Sequence, residues 1–155
     1  MEKRRYYNDN IGPLKENEVR AFKKALELCN EIEDITQITL LIHTKRNTGY
    51  LERIFGTRNL RDFFRGVKID EIYPPLKIET VRTFSDNWQG KKIVIAFGLH
   101  SHELYKYDNY ENVAGIIAHQ WSEDSVKDWA KSWEAINLKS ETKIGKTMLP
   151  DKVVQ

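Results

Sequence analysis

The four histidines of the chain share one kind of position, because each stands at or just beyond the end of an apolar run. Imidazole can gain or lose a proton near neutral pH, and it is also the commonest metal ligand among side chains. If the apolar runs are parallel strands, their carboxyl ends meet at one edge of the sheet, where open α/β proteins bind ligands. The sequence therefore predicts a site at that edge, which we name the C-terminal rim, formed by His43, His100, His102 and His119.

Groups that suit an anion follow the same apolar runs. Lys45 and Arg46 come shortly after the first run, and a guanidinium can hold a phosphate through two hydrogen bonds. Ser101 and Ser122 stand where helices are predicted to begin, and the backbone N–H groups of a helix start attract anions. Trp121 can stack on a base or another ring. The predicted ligand-binding residues are His43, Lys45, Arg46, His100, Ser101, His102, His119, Trp121 and Ser122.

Each of these residues also has an ordinary structural interpretation. A histidine after a strand often binds a carbonyl group at the sheet edge, and a Lys-Arg pair is common in a solvated loop. His100-Ser101-His102 is a weak metal pattern, because a helix cap at Ser101 turns the two rings apart. We therefore expect no structural metal, no cofactor and no assignable catalytic residue.

Three apolar runs supply the predicted strands, at residues 38–43, 92–97 and 113–119. None alternates apolar with polar residues, a pattern typical of strands that are covered on both faces, as in parallel sheets. We expect the three to be neighbours. Residues 67–73 and 77–84 are expected to add an antiparallel edge, and Arg5 to Tyr7 another edge strand.

Amphipathic or capped helices alternate with these strands. Apolar residues at helical spacing predict a helix over residues 16–32, Ser101 is expected to cap a helix over residues 102–107, and Ser122 to cap a last helix. That last helix would carry Glu123 and Asp124 in its first turn and present one apolar face. The face consists of Val126, Trp129, Trp133 and Ile136.

The alternation predicts an α/β fold: a three-layer sandwich with a mostly parallel sheet of four or five strands, Rossmann-like in shape. The dinucleotide fingerprint is absent, because no G-x-G-x-x-G follows any predicted strand. We expect residues 1–155 to form a single domain and residues 138–155 to dock as a tail or fray. The predicted core includes Leu40, Ile42, Val94, Ala96, Ile116, Ile117, Phe22, Leu26, Trp129 and Trp133.

Composition excludes several classes of protein. A chain of 155 residues with 40% hydrophobic and 31% charged residues is typical of a globular domain. The net charge of +2 is no strong signal for nucleic acid, and a single cysteine, Cys29, allows no internal disulfide. No apolar run is long enough for a membrane span. We expect a cytoplasmic protein without membrane contact.

Three functions remain open. The first is a small module that binds a nucleotide-like or other small anionic ligand at the rim. In that case alanine at Arg46 or His119 should weaken binding with little loss of stability. The second is an enzyme of phosphoester or glycosidic-bond chemistry that uses two histidines as general acid and base. The third is a protein-interaction role through exposed tyrosines or the tail. A homo-oligomer is compatible with all three.

Overall fold

The computed structural model describes residues 3–8, 15–44, 51–52, 57–68, 70–86, 90–120 and 123–141. Within them, six strands form one sheet: β1 (Arg4–Asn8), β2 (Ile35–Ile42), β3 (Leu76–Thr80), β4 (Lys91–Phe97), β5 (Val113–His119) and β6 (Ile136–Asn137). Four helices accompany them: α1 (Lys15–Glu31), α2 (Thr57–Arg65), α3 (Ser101–Asp108) and α4 (Lys127–Ser132). The sheet order is β3-β2-β4-β5-β1-β6 and every pairing is parallel. The predicted α/β fold is confirmed, with six strands in the sheet.

The helices cover both faces of the sheet, each over its own apolar core. The first core lies under α1 and α2 and includes Leu28, Phe63 and Phe97. The second lies under α3 and α4 and includes Leu104 and Trp129. Crossovers between parallel strands are right-handed. A crossover to a strand nearer the β3 edge of the sheet therefore places its helix on one face, and a crossover to a strand nearer the β6 edge places its helix on the other. This rule accounts for the separation of α1 and α2 from α3 and α4.

The central strands form as the sequence predicts. Every residue of β5 is buried, as is every residue of β4 after Lys91, because helices cover both faces. β4 lies between β2 and β5, so the three predicted strands are parallel neighbours. In the part of the chain that the structure describes, no helix combines the length and the apolar character needed to cross a bilayer.

Two predictions about the sheet edges are wrong. β3 is parallel to β2, and the antiparallel contact is reduced to a single bridge between Val67 and Leu76. β1 is not an edge strand, because it lies between β5 and β6. Tyr6 of β1 is buried in the first core and Tyr7 is buried in the second. The interior position therefore lets β1 pack side chains against both cores.

The last helix is shorter than predicted at both ends. It begins at Lys127, so Glu123 and Asp124 precede it, and it ends at Ser132. Glu134 has φ of 50°, and Ala135 N–H donates to the carbonyl oxygen of Ala130 at 2.9 Å, which is the left-handed C-terminal turn of a Schellman motif. The chain then turns back into β6.

This early end changes the predicted apolar face. Ile136 becomes a strand residue, and Trp133 is 44% exposed although it was expected in the core. The other predicted core residues are buried, or half-buried against the core in the case of Phe22 and Leu26.

Candidate ligand-binding rim

At two places in the sheet, the helices that follow two neighbouring strands pack on opposite faces. The first place is between β2, which is followed in the chain by α2, and β4, which is followed by α3. The other lies between β5 and β1, which lead toward α4 and α1. A crevice opens at the carboxyl ends of such strand pairs, because no crossover covers it, and ligands of open α/β proteins bind there. Both crevices belong to the C-terminal rim.

The crevice between β2 and β4 is bridged by His43. Its Nδ1 lies 3.2 Å from Oε2 of Glu103, and its Nε2 lies 3.3 Å from the carbonyl oxygen of Gly98. The other carboxylate oxygen of Glu103 accepts the His100 N–H at 2.9 Å. A neutral imidazole can donate to only one of the two acceptors, whereas an imidazolium donates to both. His43 therefore joins the chain just after β2 to α3 and to the turn that follows β4. Lys45 and Arg46, which follow in the sequence, lie outside the described residues.

The crevice between β5 and β1 has a buried polar floor. Asn8 and His119 are paired in register, and Nδ2 of Asn8 lies 3.1 Å from Nδ1 of His119. The same amide nitrogen donates to the carbonyl oxygen of Asn17 in α1 at 2.9 Å. Phe97 lies on the other side of His119, with 5.6 Å between the ring centroids. Under the first turns of α1, the polar side chains of Asn8, Asn17, Glu18 and His119 form a compact buried cluster.

The burial of His119 corrects one expectation. His119 is only 1% exposed, so it is part of the packed interior and not an exposed ligand contact. Its replacement by alanine removes a buried hydrogen-bonding partner, which lowers stability whether or not a ligand binds. The premise of the stability prediction for this variant, an exposed His119, is therefore wrong.

His100 and His102 lie on the outer side of α3. Their rings stack on each other, with 6.1 Å between centroids. They line a groove of about 460 Å³ together with the carboxylates of Glu123, Asp124 and Asp128. Three carboxylates repel an anion, so this part of the rim is the least suited to the anionic ligand that the sequence predicts.

The predicted cap at Ser101 is wrong by one residue. The N-cap of α3 is His100, and Ser101 is the first residue of the helix. Its hydroxyl donates to the carbonyl oxygen of Ser125 at 3.2 Å and accepts the Trp129 N–H at 3.0 Å. Ser101 therefore holds α3 against α4 and the segment before it.

The structure thus divides the predicted residues into three groups. His43 and His119 lie in different crevices, and His100 and His102 lie in the acidic groove. Trp121 and Ser122, like Lys45 and Arg46, fall outside the described residues. Sequence reasoning missed the polar floor of Asn8, Asn17 and Glu18, because Asn8 stands in an Asn-Asp-Asn turn signal and the other two lie in an amphipathic helix.

Other reactive groups of the described chain offer little chemistry. No three of its histidine, cysteine and carboxylate side chains converge as a metal site would require. Burial raises the pKa of the Cys29 thiol to about 11, so the nucleophilic thiolate is scarce at neutral pH. Burial likewise raises the pKa of Tyr107 to about 12, which keeps its phenol protonated.

No family model matches the chain, and no curated protein or solved structure is detectably similar to it. The functional interpretation therefore depends on the residues and their geometry.

Proposed function

We propose that this protein is a binding module for a nucleotide-like or other small anionic ligand, and that the ligand occupies the crevice between β2 and β4 at the C-terminal rim. One observation carries the proposal: β2 and β4 are parallel neighbours whose following helices pack on opposite faces. This is the strand arrangement at which open α/β sheets bind ligands.

The charges beside this crevice support an anion. The ring nitrogens of His43 face Oε2 of Glu103 and the carbonyl oxygen of Gly98 at this crevice. Lys45 and Arg46 follow His43 by two and three residues in the sequence, and we assign the ionic contacts with the ligand to them. Glu103 places a carboxylate beside His43, so the proposed anion depends on Lys45 and Arg46 for its main ionic contacts.

A thermal-shift panel of nucleotides and small phosphates tests the proposal. A ligand at 100 times its dissociation constant should stabilise the native state by ~2.7 kcal/mol, a clear rise in melting temperature. Arg46→Ala should reduce the shift, while Arg61→Ala, which removes an exposed arginine from α2, should leave it unchanged. A panel without any shift, or equal loss in both variants, contradicts the proposal.

The pairing of His43 with Glu103 supports a second candidate, an acid–base hydrolase of phosphoester or glycosidic bonds. A carboxylate at Nδ1 orients an imidazole for proton transfer through Nε2. That nitrogen faces the Gly98 carbonyl, so the ring must release this contact before it can reach a substrate. Turnover of a ligand from the panel that is lost in His43→Gln would replace the binding module by the enzyme.

A further inference from the structure

A second groove lies on the opposite side of the sheet from the acidic one, between α1 and the turn that follows β6. It has a volume of about 460 Å³, within the range of pockets that bind small molecules. Its lining contains four basic and two acidic side chains together with apolar residues of β1 and β6. The basic side chains are Arg20, Lys23, Lys24 and Lys139.

Three of these cations have no carboxylate partner among the described residues. In the described part of the chain, no ion pair involves Arg20, Lys23 or Lys139. Lys24 differs, because its Nζ lies 2.9 Å from Oε1 of Glu27. Glu141 is the remaining acidic residue of the lining. The groove therefore keeps unneutralised positive charge in a concave surface, which concentrates the field on an anion.

Two of the basic side chains are held in place. Nη1 of Arg20 donates to Oδ1 of Asn17 at 3.0 Å, which leaves its other N–H groups for a ligand. Nζ of Lys24 lies 5.0 Å from the centroid of the Tyr6 ring. Side chains that are already ordered lose less conformational entropy when a ligand binds.

The walls of the groove indicate the size of the anion. Arg20 and Lys24 are four residues apart on α1, a rise of about one helical turn or ~6 Å. Lys139 belongs to the turn after β6, where Oδ1 of Asn137 accepts the Lys139 N–H at 2.8 Å. Cations spread over this distance on two walls suit a diphosphate better than a single phosphate. Ile136 and Leu138 add an apolar wall for an organic substituent.

We infer that the groove between α1 and β6 is a further anion site that binds a compact ligand with a diphosphate group, and that Arg20, Lys23 and Lys139 make the ionic contacts. This site is independent of the proposed function, because the crevice between β2 and β4 shares no residue with it.

Isothermal titration of the full chain with inorganic pyrophosphate and with ADP tests the inference. The variant Lys23→Glu/Lys139→Glu reverses two exposed charges of the groove. Its control is Lys127→Glu/Lys131→Glu, which reverses two exposed lysines of α4 and makes the same change in net charge. All four lysines are exposed, so both variants should fold, and circular dichroism verifies this.

The parent and the control should bind pyrophosphate with the same stoichiometry and similar affinity. The groove variant should bind at least about tenfold more weakly, since each lost contact is a charge-assisted hydrogen bond. Higher ionic strength should weaken binding to the parent. ADP binding that is tighter than pyrophosphate binding would assign the apolar wall to the organic part of the ligand and supports the inference.

Three results would overturn it. In the first, the parent protein binds neither pyrophosphate nor ADP. In the second, the groove variant and its control lose the same affinity, which indicates a response to net charge alone. In the third, Arg46→Ala abolishes binding while the groove variant retains it, and the anion then belongs to the rim. That last outcome contradicts the groove and favours the proposed function, so the two proposals fail separately.

Discussion

Two tryptophans, one in α4 and one directly after it, provide a matched comparison of buried and exposed side chains. Trp129 and Trp133 are four residues apart, yet Trp129 is fully buried and Trp133 is 44% exposed. Nε1 of Trp129 donates to Oδ2 of Asp108 at 2.9 Å, and the guanidinium of Arg5 binds both oxygens of the same carboxylate, at 2.8 and 2.7 Å. Trp133 covers that guanidinium, with its ring centroid 4.0 Å from Cζ of Arg5.

These contacts set the expected losses of stability. Trp129→Ala should lower the free energy of unfolding by ~3–5 kcal/mol, because it leaves a cavity in the second core. Trp133→Ala should lower it by ~0.5–1 kcal/mol, the range of an exposed cation–π contact. Trp129→Phe keeps most of the packing but removes a donor from a buried carboxylate, so it should cost ~1–3 kcal/mol.

Urea unfolding followed by far-ultraviolet circular dichroism measures the differences without depending on tryptophan fluorescence. A domain of this kind has ~5–15 kcal/mol of total stability, so the loss at Trp129 should move the midpoint far more than the loss at Trp133. Equal midpoints for the two alanine variants would refute the burial difference. A Trp129→Phe variant as stable as the parent would refute the contribution of the hydrogen bond to Asp108.

Four further predictions concern His119, Gly115 and the half-buried Cys29. His119→Ala should lower the free energy of unfolding by ~1–3 kcal/mol because it removes the partner of Asn8, and a denaturation midpoint equal to that of the parent would contradict this. Gly115→Val should cost ~1–3 kcal/mol, since a Cβ at this position would lie 3.2 Å from the carbonyl oxygen of Arg4; an unchanged midpoint would show that the strand can shift. Iodoacetamide at a pH of about 8 should alkylate Cys29 much more slowly in the native protein than in urea, because burial raises its pKa from 9.0 to about 11. Native Cys29 keeps its proton while the unfolded thiol loses it, so its contribution should lower stability as pH rises above 9.0, and a pH titration of unfolding can detect this.

The position of the candidate rim could be predicted in part. Non-alternating apolar runs predicted parallel strands, and parallel strands bring their carboxyl ends to one edge, so the position of the histidines at or beyond these ends followed from sequence. Their separation into two crevices and the acidic groove did not. The direction in which each histidine side chain points could not be predicted from the sequence. His119 is the last residue of β5 and is buried beside Phe97, whereas His100 and His102 belong to the start of α3 and line a surface groove.

The cationic groove shows the same limit. The sequence places Arg20, Lys23 and Lys24 on the polar side of a helix, where solvent exposure is the usual outcome. Only the pairing of β6 with β1 brings Lys139 opposite them, across more than a hundred residues of chain. No local pattern contains that contact.

The sequence by itself determined the α/β class, the three central strands and the bounds of α1 to within about one residue. Each depends on hydrophobic periodicity over a short window, which local burial enforces. Tertiary structure decided the insertion of β1 between β5 and β6, the parallel direction of β3 and the exposure of Trp133. Strand pairing joins segments far apart in the chain, and α4 ends where β6 must join β1, with Glu134 and not a glycine in the left-handed turn. The free energy that selects these features comes from non-local packing, which a local residue pattern does not encode.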